Sequence, residues 1–484
     1  MILKRTLQNW ALIILILLLF VFLLVPYGPG ITFDSVSFFQ AGDHFWAEGR
    51  YVHYGADGGQ EFAAHRFPLY PLLLSLFYSF SKGAFLLQIL LFLGTLAGFR
   101  FLLKKREVSP YPLLLLATFS VIICFYCLWT EALYGCLFAW LLYFLSKEDD
   151  YQPFYWIVTF VVLLCLTRMI GVVVGGSLFL AYLMEKRALR GWLVLIFTVF
   201  FVGGWILLGT YYLGETARPL AFHPVSMQDI VDLFVHLGKW ILAYDIVVIN
   251  LILGGIFFCA PLVFLWMSRK AAEKRGVLFY FLFIHFYAYI AFLLLSKSLI
   301  DQSIPIEART LFPLFLNLIG FIILFVSFEG FTDRLRAKLK FIMPILIIPV
   351  LAFNGVHLYR LKNTGIGYGS KEWNSYWFVD ILDELDGDVV YTNDQATLYL
   401  YSPQIEQPEL LPQKKSLYSG EVNKAYTAEM DLMLHELQES EDGLIIWIRN
   451  GITADIYPSY EAIKAHPDLK IIYDDWLCLV MEVK

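Results

Sequence analysis

Residues 28–71 read "GPGITFDSVSFFQAGDHFWAEGRYVHYGADGGQEFAAHRFPLYP" and lie between two strongly apolar parts of the chain. An apolar run with Lys4 and Arg5 at its head precedes them, and further apolar runs follow. The stretch itself is crowded with carboxylates, histidines and arginines. Because its surroundings are too apolar for a water-exposed surface, the class of the whole chain decides how these ionisable groups are interpreted.

The composition indicates a membrane protein. The chain has 484 residues, of which 59% are hydrophobic and only 16% are charged. A soluble protein of this length needs a more charged exterior, and repeated apolar runs near bilayer-spanning length indicate a polytopic membrane protein. The net charge of -6 gives no reason to expect nucleic-acid binding. The first apolar run is longer than a signal-peptide core and no cleavage site follows it, which favours a retained signal anchor.

The apolar runs predict about eleven transmembrane helices. Their approximate positions are 8–27, 83–103, 111–128, 132–147, 154–167, 169–185, 191–212, 246–267, 277–296, 310–328 and 341–357. Four basic connections orient the bundle by the positive-inside rule, with a cytoplasmic N-terminus. The first loop (28–67), the turns at Glu131 and Arg168, and residues 297–309 then fall on the extracytoplasmic side, and so does the C-terminus.

The tail has a different pattern. Residues 1–357 are expected to form the transmembrane domain, and residues 358–484 a small extracytoplasmic α/β domain. "DGDVVYTND", "DGLIIWIRNG", "LKIIYDD" and "CLVMEVK" predict strands, and "NKAYTAEMDLMLHELQES" predicts an amphipathic helix. About 120 residues are enough for a core of their own. "GIGYG" (365–369) follows no predicted strand, so a nucleotide-binding loop is not expected there.

In this topology, acids and bases collect at the extracytoplasmic ends of the spans. Each alone has an ordinary explanation: Asp34 as a helix cap, Glu131 and Arg168 as solvated turn residues, and Arg66 as an interfacial anchor. Together with "SKSLIDQSIPIEART" (296–310) they converge on one face, which is typical of a substrate site. Both interpretations stay open on the residues alone.

Five segments, taken in order, carry a resemblance to a known family. "FDSVSFFQAGDHFWAEGRY" follows the first span and "HRFPLYPLLLSLF" leads into the next helices; "WTEALYGCLFAWLLYFL", "LTRMIGVVVGGSLFLAYL" and "EARTLFPLFLNLIGF" follow. Their order and spacing over residues 8–330 resemble the membrane glycosyltransferases of the GT-C fold. The most similar branch is that of the protein O-mannosyltransferases and aminoarabinose transferases (glycosyltransferase families 39 and 83). Its members often have a second acid after the first, where this chain has Ser35.

The resemblance implies transfer of a sugar from a polyprenyl-phosphate-linked donor to a lipid, glycan or protein acceptor, with inversion, at the extracytoplasmic face. It implies that Asp34 is the general base, which takes the proton of the acceptor hydroxyl, and that Glu131 is a supporting carboxylate. Arginine suits the leaving phosphate because it stays charged and binds two oxygens at once. The donor-phosphate candidates are Arg309, Arg168, Arg66, His65 and Lys297.

The middle of the first loop is expected to face the acceptor, with Asp43, Asp57 and Glu61 as the binding candidates. Histidines share this loop, but their spacing matches no metal site, and Cys124 and Cys127 have no partner Cys or His nearby. We therefore expect no essential metal and no other cofactor, with a divalent metal as the alternative because the family has metal-dependent members.

The sequence thus predicts an integral membrane glycosyltransferase of the cell membrane. The alternative function is a lipid-linked-sugar flippase or polysaccharide transporter. Such a protein is expected to carry charges inside its spans or paired broken helices. A receptor or scaffold is a third class, which leaves the charged connections between spans unexplained.

Overall fold

The computed structural model describes residues 2–54, 60–78, 83–147, 153–213, 222–268, 276–299, 304–328, 333–374, 381–382, 384–385, 387–402, 404–405, 408–415, 422–440, 442–449, 456–475 and 478–483. These residues form two compact units. The first lies within Met1–Thr32, Ala64–Ile300 and Ile304–Lys371, and the second contains Phe33–Ala63 and Glu372–Lys484. Residues 33–63 therefore pack with the C-terminal part of the chain. The predicted division of the chain into a transmembrane catalytic domain (1–357) and a soluble domain (358–484) stays a prediction.

The first unit is helical. Its α-helices are α1 (Ile2–Leu24), α3 (Leu69–Tyr78), α4 (Gly83–Lys105), α5 (Phe119–Tyr126), α6 (Thr130–Leu145), α7 (Pro153–Thr167), α8 (Gly171–Met184), α9 (Ala188–Leu213), α10 (Met227–Lys239), α11 (Val247–Ser268), α12 (Gly276–Leu299), α13 (Ala308–Val326) and α14 (Asp333–Thr364). A 3-10 helix (Tyr111–Ala117) precedes α5, and a short helix α15 (Lys371–Asn374) begins where this unit ends.

Five of these helices are long and apolar enough to cross a membrane, judged over the described residues alone: α4, α9, α11, α12 and α13. Apolar but shorter helices include α6 and α8. The helices α9 and α11 leave most of their apolar residues uncovered by protein, as a lipid-facing helix does. Helices occur at the predicted spans, whereas the predicted number of about eleven crossings stays a prediction.

The predicted span 111–128 is wrong as a single helix. Thr118 is extended (φ -70°, ψ 150°) and separates the 3-10 helix from α5. The first backbone N–H groups of a helix have no partner within it, and here Oδ1 of the buried Asn354 accepts a hydrogen bond from N–H of Phe119 (2.7 Å). The apolar pattern could not reveal this break, because its polar partner comes from α14, more than 200 residues later.

The second unit contains a five-stranded mixed sheet. Its elements are α2 (Phe33–Glu48), β1 (Val52–Tyr54), β2 (Gln60–Phe62), β3 (Val389–Thr392), α16 (Gln395–Tyr401), β4 (Glu409–Leu410), α17 (Tyr426–Glu439), β5 (Gly443–Ile448), α18 (Tyr460–Lys464), β6 (Leu469–Asp474) and β7 (Cys478–Val483). The sheet order is β4-β3-β5-β7-β6, and β1 and β2 form a separate antiparallel hairpin. The four strands and the helix predicted in the tail are confirmed. Their side of the membrane stays a prediction.

Strand β5 is buried on both faces of this sheet. Ile445 and Trp447 pack into a core on one face, whereas Leu444, Ile446 and Ile448 pack into a second core on the other. A central strand covered on both faces is expected to be apolar at every position, as "GLIIWI" is. Helices therefore cover both faces of the sheet.

The glycine-rich segment 365–369 has a structural reason. Gly367 has a positive φ of 64°, and a Cβ atom there would lie 1.9 Å from the carbonyl oxygen of Ile31. The N–H of Tyr368 donates to the same oxygen (2.9 Å). Only glycine combines this backbone conformation with so close an approach, so Gly367 permits two chain segments of the first unit to pair.

Candidate active site

Three charged side chains from distant parts of the sequence meet in the first unit. Glu131 lies in the first turn of α6, Arg168 in the connection between α7 and α8, and Arg309 in the first turn of α13. Oε1 of Glu131 accepts hydrogen bonds from Nη1 of Arg168 and from Nε of Arg309, the latter at 3.0 Å. Oε2 accepts from Oγ1 of Thr130 (3.2 Å). We call Arg168 and Arg309 the arginine pair.

The three side chains of this cluster differ in their exposure. The side chain of Glu131 is 0% exposed, whereas those of Arg168 and Arg309 are 25% and 21% exposed. A fully buried carboxylate is stable only when it is paired and hydrogen-bonded, and the arginine pair provides both. Each arginine also stays partly accessible to solvent.

Trp129 packs against one member of the arginine pair, Arg309. The Cζ atom of Arg309 lies 4.7 Å from the centroid of the Trp129 ring, within cation–π distance. The indole N–H of Trp129 donates to Oγ1 of Thr32 (2.9 Å). Sequence reasoning did not single out Trp129, although its position two residues before Glu131 was a usable signal.

A buried amide supports the segment before Trp129. Nε2 of Gln88 donates to the hydroxyl of Tyr70 (2.9 Å) and to the carbonyl oxygen of Cys127 (3.3 Å). Gln88 and Tyr70 are both fully buried. Sequence reasoning missed both residues; a single amide within the apolar run of α4 was the available signal, because a buried polar group requires a partner.

Glu307 is another carboxylate that sequence reasoning did not single out. It immediately precedes α13, two residues before Arg309, and its N–H donates to Oγ1 of Thr310 (3.0 Å). Burial raises the pKa of Glu307, and the positive charge of Arg309 opposes that shift.

The other predicted phosphate ligands lie apart in the sequence and have their own contacts. Nζ of Lys297 lies 3.5 Å from Oδ1 of Asp229 and donates to the carbonyl oxygen of Ile304 (2.8 Å). His65 is exposed and Arg66 is half-buried. They follow Ala64, whose carbonyl oxygen accepts the indole N–H of Trp205 (2.9 Å).

The remaining predicted residues belong to the second unit. Asp34 is half-buried and is the second residue of α2, so it lies inside the first turn, where the helix dipole favours a carboxylate, and not at the cap position. Asp43 accepts from the hydroxyl of Tyr399 in α16 (3.1 Å), and burial raises its pKa. Glu61 is exposed and pairs across the hairpin with Nε2 of His53 (3.5 Å). Asp57 lies outside the described residues.

No group of three His, Cys, Asp or Glu side chains is close enough to hold a metal ion, as far as the described residues extend. The absence of an essential metal therefore stays a prediction from the sequence.

Comparison with known proteins adds one finding. The backbone is similar to the crystal structure of ArnT from Cupriavidus metallidurans in the apo state, with a TM-score of 0.57 and 11% sequence identity over 98% of both chains. The chain has the GT-C fold. ArnT is an aminoarabinose transferase with this fold. No family model matches the chain, and no curated protein matches it by sequence. The GT-C fold predicted from five sequence segments is thus confirmed by a comparison of backbones.

Proposed function

We propose that this protein is a membrane glycosyltransferase of the GT-C type. It transfers a sugar from a polyprenyl-phosphate-linked donor to a hydroxyl group of a lipid, glycan or protein acceptor. The observation that carries the proposal is the arginine pair, held by a buried carboxylate at the ends of apolar helices. Such a position suits a ligand with an anionic head and an apolar tail. The GT-C fold supports the same conclusion.

The arginine pair binds the phosphate that leaves. In the reaction the acceptor oxygen attacks the anomeric carbon, the bond from that carbon to the phosphate oxygen breaks, and the lipid phosphate departs with the bonding electrons. Negative charge grows on the phosphate, and guanidinium groups that Glu131 already holds in place stabilise it. Glu131 is proposed as a positioning residue for these arginines, since both of its oxygens accept hydrogen bonds inside the protein.

Asp34 is the proposed general base and takes the proton that the acceptor hydroxyl loses. Support comes from chain connectivity. Thr32 is fixed by the indole of Trp129, and two peptide units keep the Cα atom of Asp34 within about 7 Å of that of Thr32. A single base without a covalent sugar–enzyme intermediate gives inversion at the anomeric carbon.

Several finer assignments remain proposals of the same hypothesis. They are donor contacts for Arg66, His65 and Lys297, acceptor contacts for Asp43, Asp57 and Glu61, and an active site on the extracytoplasmic face of the cell membrane with a cytoplasmic N-terminus.

The test uses the full-length protein purified in detergent and a panel of radiolabelled polyprenyl-phosphate sugars, including hexoses, pentoses and aminoarabinose. The wild type is expected to consume at least one donor. Arg309→Lys keeps the charge but loses the fixed fork, and we expect about 100-fold lower kcat/KM. Asp34→Asn is expected to abolish transfer.

Arg190→Lys is the matched control, because Arg190 also lies over an aromatic ring, with Cζ 5.3 Å from the Phe154 centroid. It should retain wild-type turnover. Donor that stays intact with the wild type across the whole panel would refute the transferase. Equal losses in Arg190→Lys and Arg309→Lys would remove the special role of the arginine pair.

A further inference from the structure

The segment 126–129 is held on several sides. Gly30 N–H donates to the carbonyl oxygen of Tyr126 (3.0 Å), and Leu128 N–H donates to that of Gly30 (2.9 Å). A Cβ atom on Gly30 would lie 2.9 Å from Sγ of Cys127, so glycine permits this close pairing. Gln88 binds the carbonyl oxygen of Cys127 from α4. The backbone that carries Trp129 is therefore pinned before α6 begins.

Trp129 itself has one favoured placement. Its N–H donates to the carbonyl oxygen of Cys127 (2.8 Å), and its backbone is extended (φ -116°, ψ 153°) at the start of α6. The ring is half-buried and the Arg309 guanidinium lies over it. The same side chain reaches Thr32 through its indole N–H. One side chain thus contacts both a proposed phosphate ligand and the residue from which the chain enters α2.

We propose that Trp129 is a positioning residue with two separable functions: its ring orients Arg309, and its indole N–H fixes Thr32, two residues before Asp34. The inference rests on the proposed glycosyl transfer and adds a residue that contacts a proposed phosphate ligand and the residue at which the first unit ends. The ring restricts the guanidinium that Glu131 binds from another direction, so the fork is already oriented when the phosphate arrives. The hydrogen bond restricts the start of the segment that carries the base.

The two functions predict different kinetic effects. Trp129→Phe keeps a ring but loses the N–H, and Thr32→Val loses the acceptor oxygen. Each is expected to lower kcat about fivefold while the donor KM stays within twofold of the wild type. Thr32→Ser keeps the hydroxyl and should retain wild-type kcat.

Trp129→Leu removes the ring as well. We expect about a tenfold higher donor KM in addition to the lower kcat, and weaker binding of polyprenyl phosphate alone, measured without acceptor. Trp447→Phe is the matched control, because it loses an indole hydrogen bond of similar length, to the carbonyl oxygen of Pro458 (3.1 Å). Its kcat and donor KM should equal those of the wild type.

The outcomes separate the inference from the function on which it rests. A wild type that consumes no donor and binds no polyprenyl phosphate overturns both. An active wild type with unchanged kinetics in Trp129→Phe and Thr32→Val overturns this inference alone. If Trp129→Leu fails to fold, the Phe and Val variants still decide the question.

Discussion

Removal of the negative charge of Glu131, which holds the arginine pair, should destabilise the first unit strongly. In Glu131→Gln the side chain keeps its shape but loses its charge, while Arg168 and Arg309 remain charged. Two guanidinium groups then face each other without the carboxylate that bridged them. The glutamine Oε1 still accepts hydrogen bonds from the guanidinium groups, but these bonds lose the attraction of the negative charge.

The magnitude follows from the geometry. At 3.0 Å between Nε of Arg309 and Oε1 of Glu131, an ion pair in a partly buried site has an attraction of about 4 kcal/mol or more. Breaking a buried pair by removing one partner costs about 3–5 kcal/mol. Because a fifth to a quarter of each arginine side chain is accessible to water, we expect the low end, about 3 kcal/mol of unfolding free energy.

The assay is the unfolding midpoint in mixed micelles of dodecyl maltoside and sodium dodecyl sulfate, followed by circular dichroism. Glu131→Gln with Arg168→Met should recover about 1 kcal/mol or more of the loss, because one of the two opposing charges is gone. Glu185→Gln, at the half-buried end of α8, is the matched control and should change stability by less than about 0.5 kcal/mol. A wild-type midpoint in Glu131→Gln would refute the buried three-charge cluster.

Two further predictions concern other parts of the molecule. Burial raises the pKa of Asp43 above its ordinary value of 3.8. The protonated side chain therefore stabilises the folded state at low pH, and this stabilisation is lost as the pH rises through the raised pKa. Asp43→Asn should therefore flatten the plot of unfolding midpoint against pH. Tyr399→Phe should move the transition in that plot to higher pH, because the tyrosine hydrogen bond lowers the pKa of Asp43. An unchanged plot for both variants would contradict the assignment. Asn354→Leu leaves the N–H of Phe119 and the carbonyl oxygen of Ile241 without their partner. It should lower the free energy of unfolding by about 3 kcal/mol. Asn363→Leu, at an exposed position of α14, is the control and should leave that free energy almost unchanged. Equal midpoints for these two variants would refute the role of Asn354.

Local sequence patterns determined the class of the chain and many of its elements. Apolar runs predict helices because burial or lipid contact of their side chains is the dominant favourable term. In the tail, the continuous apolar run of β5 and the spacing of α17 marked a strand and a helix correctly. The charged connections at Glu131, Arg168 and Arg309 were visible for the same reason, since a charge between apolar runs requires a specific partner or water.

Only the tertiary structure decided which charges meet. Glu131, Arg168 and Arg309 are 37 and 178 residues apart in the two contacts that join them, and no local pattern encodes such pairing. The same holds for Asn354 at the break before α5, and for Trp129, whose indole reaches back 97 residues to Thr32. Periodicity describes one element at a time, whereas burial of a charge or an N–H group makes its partner obligatory and leaves the choice of partner to the packing of the whole bundle.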